Sequence, residues 1–171
     1  IQLALMIRKR QYRLVPSPVL TSLKDCADEI STLIGFMPTK AQRRVVDEIS
    51  VDMAGDIPMQ RLLQGDVGSG KTFVAACAMM QAVQNGYQAA LMAPTEILAE
   101  QHMRTLYPLF KKMGIRIVLH LGNARSSVKK KNKDALQNRT AQIAVGTHAL
   151  LQESVSFAKL GLAIVDEQHR F

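Results

Sequence analysis

The sequence predicts an α/β fold, a parallel sheet with helices on both faces. Three observations predict it. Short apolar runs alternate with helix-length segments from residue 62 to residue 165. A glycine-rich turn separates the first of these runs from the helix after it. The last run, Leu162-Ala163-Ile164-Val165, ends in two carboxylates, Asp166 and Glu167. Strands joined by helical crossovers run parallel, and ligands of such sheets bind at the carboxyl ends of the strands.

In chain order, residues 1–13 alternate apolar and basic groups in a helix-compatible pattern. Pro16 and Pro18 deny helix and mark an extended connector. Residues 25–34 read as a short helix ended by Gly35. Thr39 is the N-cap of a stronger helix through about Ala54, with Val45, Val46, Ile49 and Met53 on its apolar face. Leu62-Leu63 is expected in a short strand ahead of the glycine-rich turn. A helix over 71–85 follows, with Gly86 as its cap. Strands are expected at 89–93, 115–119, 142–145 and 162–165. Helices are expected at 96–113 and 126–137, and a short one from about His148.

Composition narrows the class. The chain has 171 residues, enough for one domain with a substantial core. No apolar run is long enough for a membrane span. The first residue is Ile1, and the basic cluster Arg8-Lys9-Arg10 follows an apolar stretch with no small-residue cleavage site after it. That is not a signal peptide, and the chain reads as an internal piece of a longer cytoplasmic protein. Cys26 and Cys77 are too few for a disulfide framework and read as reduced thiols. The net charge is +8, and residues 101–140 carry ten basic residues against the single acid Asp134. Such a stripe suits a nucleic-acid backbone, with a merely solvated face as the competing reading. Few aromatics and no Trp argue against a base-stacking single-strand binder and favour backbone tracking on duplex.

Gly65-Asp66-Val67-Gly68-Ser69-Gly70-Lys71-Thr72 matches GxxxxGKS/T in full. A backbone that wraps a triphosphate must turn tightly and aim its N–H groups inward, which glycine allows. The helix that follows points its N-terminus at the anion. Lys71 is placed to reach the β- and γ-phosphates, and Thr72 to ligate Mg2+. Downstream, Asp166 is the candidate for holding Mg2+ and Glu167 for activating water. Alone, two carboxylates at a strand end read as a solvated turn; the phosphate loop upstream changes that weighting. His169 is a candidate polar relay, surface histidine or metal ligand. No second His or Cys stands at ligand spacing, so the metal reading is weakest. His102, His120 and His148 are scattered and expected to be satisfied or exposed side chains.

The phosphate loop with Asp166-Glu167-Gln168-His169 resembles the DExH group of superfamily 2 helicases. Ala93-Pro94-Thr95-Glu96-Ile97-Leu98-Ala99-Glu100-Gln101 is similar to that family's motif Ia, and Val145-Gly146-Thr147-His148 to its motif Ic. Gln42, in Thr39-Lys40-Ala41-Gln42, matches the family's upstream glutamine. GDVGSGKT, APTEILAEQH, VGTHALLQ and DEQHRF are similar to the bacterial branch-migrating members, over residues from about 39 to 171. The transcription-repair coupling translocases are near relatives with similar motifs.

The resemblance implies a RecA-like P-loop NTPase lobe with ATP and Mg2+ as cofactors. It implies that residues 65–72 and Gln42 bind nucleotide, with Gln42 reading the adenine edge. Lys71, Glu167 and His169 carry catalysis, and Thr72 and Asp166 hold the metal. Pro94, Thr95, Gly146 and Thr147 line the DNA strand. Residues 122–133 depart from the family pattern in being unusually rich in lysine: Gly122 and Asn123 are candidates to approach the strand backbone, with a solvated helix face as the competing reading. The implied activity is that of an ATP-dependent DNA helicase acting on stalled forks and Holliday junctions. The implied domains are a connector from an upstream wedge domain over 1–24 and a first motor lobe over 25–171. The implied partners are branched or duplex DNA and a second lobe of the same parent chain that supplies arginine fingers. By that reading the 171 residues alone hydrolyse ATP barely. Rival readings are a non-hydrolysing nucleotide switch, an RNA-directed helicase and a small-molecule kinase, the last leaving the two strand-path motifs without a role.

Overall fold

A computed structural model describes residues 16–22, 25–66 and 68–166. The helix-compatible stretch 1–13, Val67, Glu167, Gln168 and His169 lie outside the described residues.

Helix starts and stops follow local chemistry. Helix α1 (Cys26–Ile34) begins where the Asp25 side chain accepts from Asp28 N–H at 3.1 Å, and stops at Gly35, with φ at 65°. Helix α2 (Lys40–Met53) opens on a capping box. Thr39 Oγ1 accepts from Gln42 N–H at 3.2 Å, and Gln42 Oε1 accepts from Thr39 N–H at 2.8 Å. Ile49 and Met53 are buried, and Val45 and Val46 pack against the same core. Helix α3 (Lys71–Gln84) is apolar nearly all round, which suits a helix enclosed on several sides. It lies between the sheet and the pair α1 and α2. Its one buried amide, Gln81, donates to the Leu20 carbonyl at 2.5 Å and to the Ser50 carbonyl at 3.2 Å. Leu20 is only 2% exposed, so residues just before α1 are already part of this core.

Strands and crossovers then alternate: β1 (Gln88–Met92), α4 (Glu96–Lys112), β2 (Ile117–His120), α5 (Ser126–Gln137), β3 (Ile143–Gly146), a 3-10 turn (His148–Leu151) and β4 (Leu160–Val165). All pairings are parallel, in the order β2-β3-β1-β4. Ala89 stands opposite Ile143 on one side and Leu162 on the other, and Ile117 opposite Ile143. Ala89, Leu91, Ile117, Ile143, Val145 and Leu162 face the larger core with α1 to α4. Val118 and Ala144 face a smaller core with Ala135 and Leu136 of α5 and Leu150. Helices therefore cover both faces, as a RecA-like α/β lobe requires.

Two expectations need correction. Leu62-Leu63 forms no strand: residues 58–66 carry no regular structure, and Leu62 is 70% exposed. A strand is a paired state, and no described strand pairs with this segment. The second strand starts at Ile117 rather than at residue 115. Gly114, with φ at 70°, lets Ile115 N–H bond back to the Phe110 carbonyl at 2.9 Å, so Ile115 closes α4.

Candidate nucleotide site and strand-path edge

Because every strand is parallel, every carboxyl end opens on the same edge of the sheet. Read along that edge, β2 delivers Gly122 and Asn123, β3 delivers Gly146 and Thr147, β1 delivers Pro94 and Thr95, and β4 delivers Asp166. The three candidate strand-path loops are thus adjacent to one another, and the candidate metal carboxylate stands at the end of the row. These motifs are scattered over more than seventy residues of sequence, and the strand order gathers them.

The phosphate loop leads directly into α3. Gly68 and Gly70 have φ of 80° and 85°, a region that side-chain-bearing residues rarely adopt. Gly70 meets a second demand: a Cβ there would collide with the Gln42 amide. Lys71 Nζ donates to the carbonyls of Gly65 at 2.6 Å and Asp66 at 2.9 Å, folding its ammonium over the loop. Gln42 Nε2 donates to the Ser69 carbonyl at 2.8 Å while Oε1 serves the capping box. Both ends of that amide, expected at an adenine edge, are thus bonded to the loop and to the start of α2. Thr72 is half-buried in the first turn of α3.

Asp166 continues the β1–β4 ladder, its N–H donating to the Met92 carbonyl at 2.8 Å. Its Oδ2 lies 2.7 Å from His102 Nε2, with both side chains mostly shielded. His102 is not among the site residues expected from the sequence. No motif signals it; it becomes visible only when α4 packs beside the end of β4.

On the strand-path side, Thr95 caps α4 by accepting from Leu98 N–H at 3.3 Å. Glu96 Oε1 accepts from Asn123 N–H at 3.2 Å and so ties the loop after β1 to the loop after β2. Thr147 caps the 3-10 turn, accepting from Ala149 N–H at 3.4 Å. Gly146 has no room for a side chain, since a Cβ would strike the His120 carbonyl and Leu150. Of the lysines on α5, Lys129 donates to the Gly122 carbonyl and Lys133 to Ser154 Oγ at 2.7 Å, while Lys130 and Lys131 are exposed.

His120 corrects another expectation. It is 1% exposed, and neither ring nitrogen has a hydrogen-bond partner. Burial, then the nearby charges of Lys133 and Lys129, pushes its pKa below the ordinary histidine value. Cys26 and Cys77 are buried free thiols, pushed up by burial to about 11 and about 12. Among the described residues no group of three or more His, Cys, Asp or Glu could hold a metal, and no helix is long and apolar enough to cross a membrane.

Phosphate loop, carboxylate at a strand end and capped loops along one edge make this a nucleotide-binding lobe of helicase type, and a family model agrees. The DEAD/DEAH box helicase model matches residues 39–171, and the chain belongs to that family. Its relatives make the resemblance more particular. The chain is 46% identical over 162 residues to the ATP-dependent DNA helicase RecG of Haemophilus influenzae, covering 95% of this chain and 23% of that protein. It is 45% identical over 169 residues to RecG of Escherichia coli strain K12, covering 99% and 24%. RecG of Aquifex aeolicus is 41% identical over 170 residues, covering 99% and 22%. A solved structure of RecG bound to a three-way DNA junction superposes with a TM-score of 0.90 at 43% identity, covering 99% of this chain and 23% of that one. The chain thus spans about a quarter of the length of the curated relatives it matches.

Proposed function

We propose that this chain is the ATP-binding lobe of a cytoplasmic, ATP-dependent DNA motor of RecG type, one that remodels branched DNA such as stalled forks and Holliday junctions. The observation that carries the reading is the common edge. The loops after β2, β3 and β1 are neighbours along it, those after β3 and β1 capped by Thr147 and Thr95, and the Asp166 carboxylate ends the row. That is the arrangement a machine needs if strand contact is to depend on nucleotide state.

The chain's own residues supply the steps. Lys71 exchanges the carbonyls of Gly65 and Asp66 for β- and γ-phosphate oxygens. The N-terminus of α3 faces the anion. Residues 65–72, with Gln42 bracing the loop at Ser69, bind the nucleotide. The Thr72 hydroxyl and Asp166 carboxylate are hard oxygen donors, the kind Mg2+ takes. Together they would hold Mg2+, whose chemistry there would be to neutralise charge on the phosphate oxygens. Glu167 orients and deprotonates the attacking water, and His169 relays the nucleotide state to a neighbouring lobe. Pro94, Thr95, Gly122, Asn123, Gly146 and Thr147 grip a strand through backbone N–H groups and hydroxyls, contacts that position without reading sequence. A second lobe of the parent chain provides the arginine that stabilises the transition state, a contribution of about 10³–10⁵-fold in rate. An upstream wedge domain splits the strands.

Glu167→Gln in the full-length protein tests the hydrolytic reading. The expected result is retained binding of a fluorescent ATP analogue with turnover lost by about a hundredfold or more. Unchanged turnover would remove Glu167 from the hydrolytic step, and binding without turnover in the wild type as well would assign the site to a switch.

A further inference from the structure

Asp166 is placed by two bonds from two different elements. Its backbone is fixed by the N–H bond to the Met92 carbonyl, which belongs to the sheet. Its side chain is fixed by His102, 2.7 Å from Oδ2. A carboxylate only accepts, so the His102 Nε2 carries the proton and donates it. At that length the bond is of the charge-assisted class, stronger than a neutral pair. It engages one carboxylate oxygen and leaves Oδ1 for another ligand.

The donor is itself firmly held. Helix α4 buries Ala99, Leu106, Leu109 and Phe110 in the main core, on both sides of His102 in sequence. Its first turn is held by the Thr95 cap and by the Glu96 bond to Asn123. His102 is 18% exposed and Asp166 28%, so water competes little for the bond.

From this geometry we infer that His102 is a positioning residue for the metal site: it fixes the Asp166 carboxylate so that Oδ1 is presented to the divalent cation that accompanies the nucleotide. The inference rests on the nucleotide-site reading above. It concerns the metal and not the nucleotide, since no described contact joins His102 to the phosphate loop. Partners that orient a ligating carboxylate typically contribute tenfold or more to metal affinity.

The test measures Mn2+ uptake by electron paramagnetic resonance, in the full-length protein saturated with a non-hydrolysable ATP analogue and without DNA. His102→Ala is expected to weaken Mn2+ binding about tenfold. Binding of the analogue in excess chelator should stay unchanged. His102→Gln, whose Nε2 can donate from a similar reach, should recover most of the Mn2+ affinity, and the shorter His102→Asn should not. Where the alanine variant fails to fold, the glutamine–asparagine comparison decides. Unchanged or tighter Mn2+ binding in His102→Ala would overturn the inference, as would equal binding by the glutamine and asparagine variants. Wild-type protein that takes up no Mn2+ with the analogue would instead overturn the nucleotide-site reading itself.

Discussion

His120 is a buried imidazole with no bond to either ring nitrogen, at the end of β2 beneath Lys129 and Lys133. Its neutral form is the one the fold accepts. The folded pKa lies below the ordinary 6.5, so folding is favoured above that value, and the contribution is lost as pH falls through the folded pKa. The melting temperature should therefore drop between about pH 7.5 and pH 5 by more in the wild type than in His120→Leu. Equal drops in a pair of thermal melts would contradict this. At the same scale, sequence and structure differ most for side chains whose partners are distant. The phosphate loop was legible because its chemistry is local: glycines for positive φ, then a lysine and a hydroxyl at fixed spacing. Gly70 shows the limit. Its φ was foreseeable from the motif, but its close approach to Gln42 depends on how α2 packs against the loop. His102 had no local signal at all, since Asp166 stands 64 residues away.

Elements were legible where they carry their own start and stop signals. Asp25, Thr39, Gly35, Gly86 and Gly114 sit at helix ends as their chemistry predicts, and α5 spans the residues expected of it. Strands were less exact, because pairing sets their ends. Leu62-Leu63 has the composition of a strand but no ladder to join. Gln88 shows the reverse: a polar residue left out of the expected strand opens β1 and is 2% exposed. Its Nε2 donates to the carbonyls of Leu136 and Ala141 at 2.9 and 2.8 Å, and its Oε1 accepts from Lys159 N–H at 2.9 Å. One amide thus joins the end of α5 to the approaches of β3 and β4. Gln88→Leu keeps the volume but leaves the Lys159 N–H and Ala141 carbonyl without this partner. The expected loss of unfolding free energy is about 2–4 kcal/mol, since each buried unpaired group costs about 1–3 kcal/mol. A loss below about 1 kcal/mol in urea titration would show that water or a backbone shift replaces the clamp.

At the scale of the whole molecule, the parallel order β2-β3-β1-β4 gathers scattered motifs on one edge of the sheet. The fold class was legible because helical crossovers leave few topologies open. The strand order was not, since it depends on which apolar faces meet. That order sets the loops after β2, β3 and β1 side by side and puts Asp166 beside the last of them. The lysine-rich helix α5 covers the opposite face from α3 and α4, and Lys129 reaches back to brace Gly122 at the edge. On the proposed reading, nucleotide turnover at this edge is coupled to DNA. The most direct test is ATP hydrolysis by the full-length protein with and without a synthetic four-way DNA junction. Strong stimulation by the junction, abolished by Lys71→Ala, is expected; no stimulation by any DNA, or stimulation that survives Lys71→Ala, would separate this edge from DNA-coupled turnover.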